Sequence, residues 1–149
     1  VGEAEAALAL NPSSPNYAGT IGYLFAVAGD FDRGEALLRQ AFESGPAQPG
    51  WFRHGLFIAQ YARGEYEKAF REVERVLPPA GFWDSALRAA ALGKLGRRAE
   101  AEEALEELRR LKPDFEDRVS ELLSRTPIPS RVRVDVLDGL RRAGLREPV

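Results

Sequence analysis

Apolar side chains recur every three to four positions along most of the chain, and short polar or glycine-containing stretches separate the runs. A period near 3.6 residues is typical of helices that bury one face. No segment alternates apolar and polar residues with a period of two, so the pattern predicts an all-α fold without a sheet. The three clearest stripes are Leu37, Leu38, Ala41 and Phe42; Ala69, Val73, Val76 and Leu77; and Ala101, Leu105, Leu108 and Leu111.

A turn followed by a helix is written three times, as "AGDFDRGEALLRQAF" (28–42), "ARGEYEKAF" (62–70) and "LGRRAEAEEAL" (95–105). The turn glycines Gly29, Gly64 and Gly96 are 35 and 32 residues apart, a period that indicates repeated helical pairs. Glycine tolerates the left-handed conformation that ends a helix, so each one is expected to close a first helix. Five residues later a small residue allows the second helix to approach the first closely; these residues are Gly34, Ala69 and Ala101.

Prolines divide the chain into units because proline cannot continue a helix. They are expected to close units at Pro12, Pro46, Pro78–Pro79 and Pro113. The predicted organisation is an α-solenoid of about three helix-turn-helix repeats: residues 1–14 end a preceding repeat's second helix, 15–48 form repeat 1, 49–81 repeat 2, 82–113 repeat 3, and 114–149 form C-terminal capping helices. In the last interval, apolar spacing predicts one amphipathic helix after Pro113 and another over 132–145.

Composition narrows the classes of partner and the cellular compartment that we expect. The 149 residues carry a formal net charge of −2 and no cysteine, which excludes disulfides and gives no global field for nucleic acid or an anionic membrane. No apolar run approaches the length of about 20 residues that spans a bilayer, and no signal-peptide pattern is present. The opening "VGEAEAALALNP" reads as the middle of a longer protein, and we expect a cytoplasmic fragment.

Little in the sequence converges on catalysis. His54 is the single histidine, so a metal site rich in nitrogen or sulfur is not expected, and no cofactor is predicted. Paired carboxylates such as Glu102 and Glu103 lie on the polar face of a helix, and "GTIG" (19–22) lacks the features of a phosphate loop. Arginines near the C-terminus alternate with acids and lack stacking aromatics, which argues against nucleic-acid binding. The fragment is therefore predicted to be non-catalytic.

The first helices carry a stripe of aromatic and polar residues that predicts a binding groove. In stacked helical pairs the first helices line a concave surface, and such surfaces bind partners. Aromatic side chains are typical anchors of interfaces. The alternative is that these residues are core or pack against the capping helices. The predicted groove residues are Asn16, Tyr23, Trp51, His54, Ile58, Tyr61, Trp83 and Lys94.

The turn glycine, the aromatic residue two positions on (Phe31 and Tyr66, but Arg98 in the third unit), the small residue five positions on and the closing proline together resemble the tetratricopeptide repeat (TPR) family over residues 1–115. Further phrases resemble the C-terminal TPR region of bacterial class III adenylate/guanylate cyclases; they are "PGWF" (49–52), "RGEYEKAF" (63–70), "GFWDSALRAAALGKLGR" (81–97), "LKPDF" (111–115) and "VLDGLRRAGL" (136–145). That resemblance implies a regulatory or scaffolding region, with catalysis elsewhere in the parent protein.

Two functions follow as hypotheses. The first is a protein-interaction scaffold that binds an apolar or aromatic peptide, or a partner helix, in the groove. The second is a structural domain whose self-association makes the parent protein a homo-oligomer. The partner's identity is not encoded in a recognisable motif.

Overall fold

The computed structural model describes residues 15–45, 47–76 and 80–148. Within these ranges every regular element is a helix and there is no strand, which confirms the all-α prediction. The α-helices are α1 (Pro15–Val27), α2 (Phe31–Glu43), α3 (Gly50–Ala62), α4 (Tyr66–Glu74), α5 (Phe82–Leu95), α6 (Arg98–Leu111), α7 (Val119–Arg125) and α8 (Ser130–Ala143), with one 3-10 turn at Glu116–Arg118.

The first six helices form three antiparallel pairs, α1 with α2, α3 with α4, and α5 with α6. Both helices of the first pair also contact α3, and α4 contacts α5, so the pairs lie side by side in chain order. The pairs fall inside the intervals 15–48, 49–81 and 82–113. The predicted closing prolines Pro12, Pro46 and Pro78–Pro79, the stripe residue Leu77 and the predicted helix end over 1–14 lie outside the described residues.

The repeated turn-and-helix phrase has a common geometry in all three pairs. The turn glycines Gly29, Gly64 and Gly96 have φ angles of 94°, 77° and 73°, a region that side chains with a Cβ rarely adopt. Five residues later the second helix meets the first: a Cβ on Gly34 would lie 2.8 Å from the backbone nitrogen of Ala26. The corresponding alanines of the other pairs, Ala69 and Ala101, are fully buried.

The apolar core extends over all three pairs. A smaller cluster joins the first pair to α3, and a larger one runs from α3 through α8. Between α2, α3 and α4 the buried carboxylate of Glu72 lies 2.7 Å from Arg39 and 3.0 Å from Arg53, and accepts a hydrogen bond of 3.3 Å from Gln60. A buried charge is tolerated when it is paired and hydrogen-bonded, as this one is.

The C-terminal segment, which we define as residues 114–148, folds back onto the helical pairs. Its first predicted helix is a 3-10 turn followed by the short helix α7, and α8 begins at Ser130 and ends at Ala143 before a left-handed Gly144. Helix α8 packs mainly along α5 and also contacts α3 and α6. It approaches α5 closely because two glycines face each other: a Cβ on Gly93 would overlap the carbonyl oxygen of Gly139.

Candidate functional site

A cavity of about 310 Å³ lies between the first helices and the C-terminal segment. Helix α1 contributes Tyr23, α3 contributes His54 and Ile58, and α5 contributes Trp83 and Leu87. The remaining wall is made by the end of α7 and the following loop, residues 122–123 and 125–128. We call the cavity and the adjoining exposed face of Trp51 the trough. Its lining is mostly apolar, which is typical of a pocket that binds a ligand or a side chain.

Trp51 lies beside the cavity and is held against its neighbours by edge-to-face ring contacts. Its ring centroid is 4.9 Å from that of Tyr23 and 4.5 Å from that of Phe52. Phe52 is buried, whereas Trp51 keeps 41% of its surface exposed. A large aromatic ring that is fixed in place but exposed can add contact area at small entropic cost, as interface anchors do.

Trp83 also lines the cavity, and two other aromatic rings pack against it. Its ring centroid is 5.2 Å from that of Phe82 and 5.7 Å from that of Phe115, which follows α6. Phe115 is itself buried. Phe115, in the segment that follows the third pair, therefore helps to position Trp83, which lies at the start of that pair.

One polar group of the cavity, the imidazole of His54, is held in a fixed orientation. Its Nε2 lies 2.6 Å from Oδ1 of Asp84, and Oδ2 of Asp84 accepts a hydrogen bond of 2.6 Å from the backbone N–H of Gly81. Burial raises the pKa of Asp84, but the hydrogen bonds from His54 and Gly81 outweigh it, and the pKa is lowered from its usual 3.8. Asp84 thus caps the start of α5 and orients the imidazole at the same time.

Two predicted groove residues, Tyr61 and Lys94, lie under α8 instead of in the trough. Tyr61 is fully buried, and its hydroxyl donates to the backbone carbonyl of Asp135 at 2.7 Å. Burial, together with the charge of Asp135, raises the pKa of the Tyr61 hydroxyl. Lys94 has a side chain that is 9% exposed, and its Nζ donates to Asp135 and Asp138 at 2.6 Å each. The interpretation that part of the stripe packs against the capping helices therefore fits these two residues.

For the other predicted residues the arrangement is as follows. Tyr23, His54, Ile58 and Trp83 line one cavity, and Trp51 contacts Tyr23 at its edge. Asn16 is exposed near the start of α1 and is not among the residues lining the cavity. The stripe thus divides into two parts. One part borders the open trough, and the other, with Tyr61 and Lys94, is covered by α8.

Sequence reasoning missed the wall that the C-terminal segment contributes. The segment was expected to cover the end of the array, yet Leu122, Leu123 and Ile128 line the trough. The spacing marked Leu122 and Leu123 as the apolar face of a helix but not what that face covers, and Ile128 lies between two prolines in a stretch too short for a periodic pattern. It also missed Arg53 and Gln60 as partners of the buried Glu72, since polar residues on an apolar face do not reveal their partner.

A second cavity, of about 440 Å³, lies among α4, α5 and α6. Its rim is charged, and its arginines are already paired: Arg88 lies 2.7 Å from Glu74, and Arg110 bonds Glu107. The carboxylates balance the charge of these arginines, as on a solvated helix surface. The trough, with the exposed ring of Trp51 and one oriented imidazole, is the better candidate site.

Within the described ranges, no group of three or more potential ligands could hold a metal ion. None of the described helices has the length and apolar content that crossing a bilayer requires. Comparisons with protein-family models, with curated proteins and with solved structures gave no match to this chain.

Proposed function

We propose that this chain is a non-catalytic interaction module of the TPR type, which binds a peptide of a partner protein in the trough. The observation that carries the proposal is the exposed ring of Trp51, which packs on the partly buried Tyr23 beside an apolar cavity of about 310 Å³. A partner can gain most of its binding energy from a few side chains when these enter an apolar pocket flanked by fixed aromatic rings.

The repeat assignment rests on the turn geometry shared by three consecutive pairs. Left-handed glycines at the turns and small residues five positions on are features that the TPR pattern requires. The phrases similar to the TPR region of bacterial cyclases support a regulatory role in a cytoplasmic signalling protein. A cyclase domain in the parent's reading frame would support that extension, and a parent without any signalling domain would contradict it.

An extended peptide fits the trough better than a partner helix does. The C-terminal segment covers the end of the stripe that holds Tyr61 and Lys94 and leaves only the cavity and the face of Trp51 open. A helix is about 10 Å wide with its side chains, so a partner helix would lie across the mouth of the cavity and place only single side chains inside it. Side chains of an extended segment require less space, because only alternate residues point toward the surface.

The test is selection of binding peptides from a random display library, followed by titration of each selected peptide against purified variants. Trp51→Ala is expected to weaken binding by at least tenfold, as loss of an aromatic anchor does. Val134→Ala is the control, since Val134 is 71% exposed on α8 and not among the residues lining the trough. Circular dichroism establishes that both variants remain helical. Equal affinity for the wild type and Trp51→Ala, or failure to select any peptide, would count against the proposal.

Self-association is the second candidate, and one observation favours it. Helix α1 exposes Tyr17 and Leu24 by 45% and 48%, and these residues lie two turns apart on one face. A second copy covering that face would bury both side chains. Light scattering is expected to give a dimer mass for the wild type and a monomer mass for Leu24→Glu. A monomeric wild type at high concentration would exclude this candidate.

A further inference from the structure

We propose that the cavity of the trough is an anchor pocket for one aromatic side chain with a hydrogen-bond donor on its ring, a tyrosine or a tryptophan of the bound peptide. This inference rests on the proposed function and adds the chemistry of the residue that is recognised. Three features of the cavity carry it: its size, its walls and the oriented imidazole of His54.

The size matches one ring system. Ligand pockets span roughly 300–1,000 Å³, so a cavity of about 310 Å³ is at the lower end of that range. At about 30 Å³ per molecule in liquid water, it has the room of about ten waters. A phenol or an indole ring therefore fits inside the cavity.

The walls favour an aromatic occupant. Ile58 and Leu87 on one side and Leu122, Leu123 and Ile128 on the other supply aliphatic contacts. Tyr23 and Trp83 add two rings from different helices. Aromatic pairs prefer offset or edge-to-face arrangements, and each such pair contributes beyond the apolar area it buries.

The imidazole of His54 favours a ring that carries a hydrogen-bond donor. Both oxygens of Asp84 accept hydrogen bonds, one from the Gly81 N–H and one from His54 Nε2. A neutral imidazole that donates from Nε2 has an acceptor at Nδ1, and no described residue is shown to bond that atom. Asp84 is therefore a positioning residue: it sets the tautomer, and the tautomer makes His54 an acceptor for a phenol O–H or an indole N–H.

The occupant is a side chain of a peptide because the cavity continues into an exposed contact surface. Tyr23 lines the cavity and also contacts Trp51, which is outside it. A chain anchored in the cavity can therefore lay its next residues against Trp51. A free small molecule would gain nothing from that ring.

The first experiment titrates side-chain analogues into ¹⁵N-labelled full chain at pH 8. The probes are 4-methylphenol and 3-methylindole, with toluene as the analogue without a donor. We expect the two donors to shift the Trp83 indole N–H and the Thr126 amide, and to bind about two- to tenfold more tightly than toluene. Equal binding of toluene, or shifts only outside the trough, would overturn the pocket's selectivity.

Variants separate the pocket from a general effect on the fold. In Asp84→Asn the side-chain oxygen remains bonded to Gly81 and the amide N–H₂ faces Nε2, which moves the imidazole proton to Nδ1. The preference for 3-methylindole over toluene is expected to vanish, because an indole N–H only donates and cannot pair with an Nδ1–H, whereas Asp117→Asn, an exposed aspartate, retains it. Leu122→Trp fills the cavity and is expected to abolish binding of all probes, while Leu111→Trp, on the exposed side of α6, leaves it unchanged.

The second experiment uses peptides selected on the wild type. Replacing the anchor tyrosine of a peptide by phenylalanine is expected to weaken binding two- to tenfold on the wild type. A peptide anchored by tryptophan is expected to bind Asp84→Asn two- to tenfold more weakly than the wild type, because its ring N–H then faces the Nδ1–H. Selected peptides that depend on Trp51 but lack an aromatic residue would overturn this inference and leave the proposed function standing. Analogues that bind while no peptide is selected would overturn the peptide source and the proposed function together.

Discussion

The contact between Gly93 on α5 and Gly139 on α8 allows a sharp test of how the C-terminal segment is held. We predict that Gly93→Ala destabilises the protein, although alanine is the better helix former. A Cβ at this position would overlap the carbonyl oxygen of Gly139 and lie 2.9 Å from the backbone nitrogen of Ala143. Both neighbours are backbone atoms of one helix, so relief requires α8 to move away from α5 as a unit.

Two opposing terms set the size of the effect. Replacing glycine by alanine inside a helix gains about 1 kcal/mol of propensity. Forcing packed helices apart costs about 1–3 kcal/mol and reaches the upper end when no side chain can rotate aside. The net loss is therefore about 2 kcal/mol, which for a chain of this length lowers Tm by about 4–8 °C.

Thermal unfolding followed by circular dichroism measures the shift, and hydrogen exchange locates it. The matched control is Gly50→Ala, whose Cβ would lie 3.4 Å from a Val76 methyl group in ordinary contact. Gly50→Ala is expected to leave Tm unchanged or slightly raised, while Gly93→Ala loses amide protection mainly in α8. An increase in Tm for Gly93→Ala like that of an exposed helix position would refute the packing of α8 on α5.

Three further outcomes are expected. Glu72→Gln removes the buried charge that three arginines share, and urea unfolding should show a loss of about 3 kcal/mol; a change below about 0.5 kcal/mol would contradict the network. Lys94→Met removes the ammonium that Asp135 and Asp138 share, although Asp138 keeps Arg142, and should cost about 1 kcal/mol at low salt, with a smaller loss at high salt; a loss independent of salt would exclude an electrostatic cause. The pKa of Asp84 is lowered on folding, so its contribution to stability is present above its usual 3.8 and is lost as pH falls through the lower folded value. Comparing urea unfolding at about pH 3 and pH 6, Asp84→Asn should lose less stability on acidification than the wild type; parallel losses would contradict this assignment.

Apolar periodicity was sufficient to predict the helices because it records which face of each helix is buried. The glycines marked the turns, because the left-handed conformation at Gly64 or Gly96 restricts the residue type. Periodicity alone had a limit. It could not show what covers each face. Tyr61 and Trp51 occupy the same predicted stripe, but Tyr61 is buried by α8, a helix more than 70 residues away in the chain, and Trp51 remains exposed.

The candidate site was predictable in part for the same reason. Spacing along α3 placed His54 and Ile58 on one face, and both line the cavity. The orientation of His54 depends on Asp84, which is 30 residues away on another helix and serves as a helix cap. Pairings of this kind arise from tertiary packing and leave no periodic trace in a single sequence.

The central claim is that a peptide binds in the open trough while α8 stays docked on the neighbouring half of the first helices. The direct measurement is chemical-shift mapping of a selected peptide on the ¹⁵N-labelled chain, whose two tryptophans give two indole N–H signals. The account predicts shifts at Trp51, Trp83 and the amides of residues 122–128, with the amides of α8 retained in place. Shifts confined to the outer faces of α4 and α6, or release of α8 on binding, would contradict it.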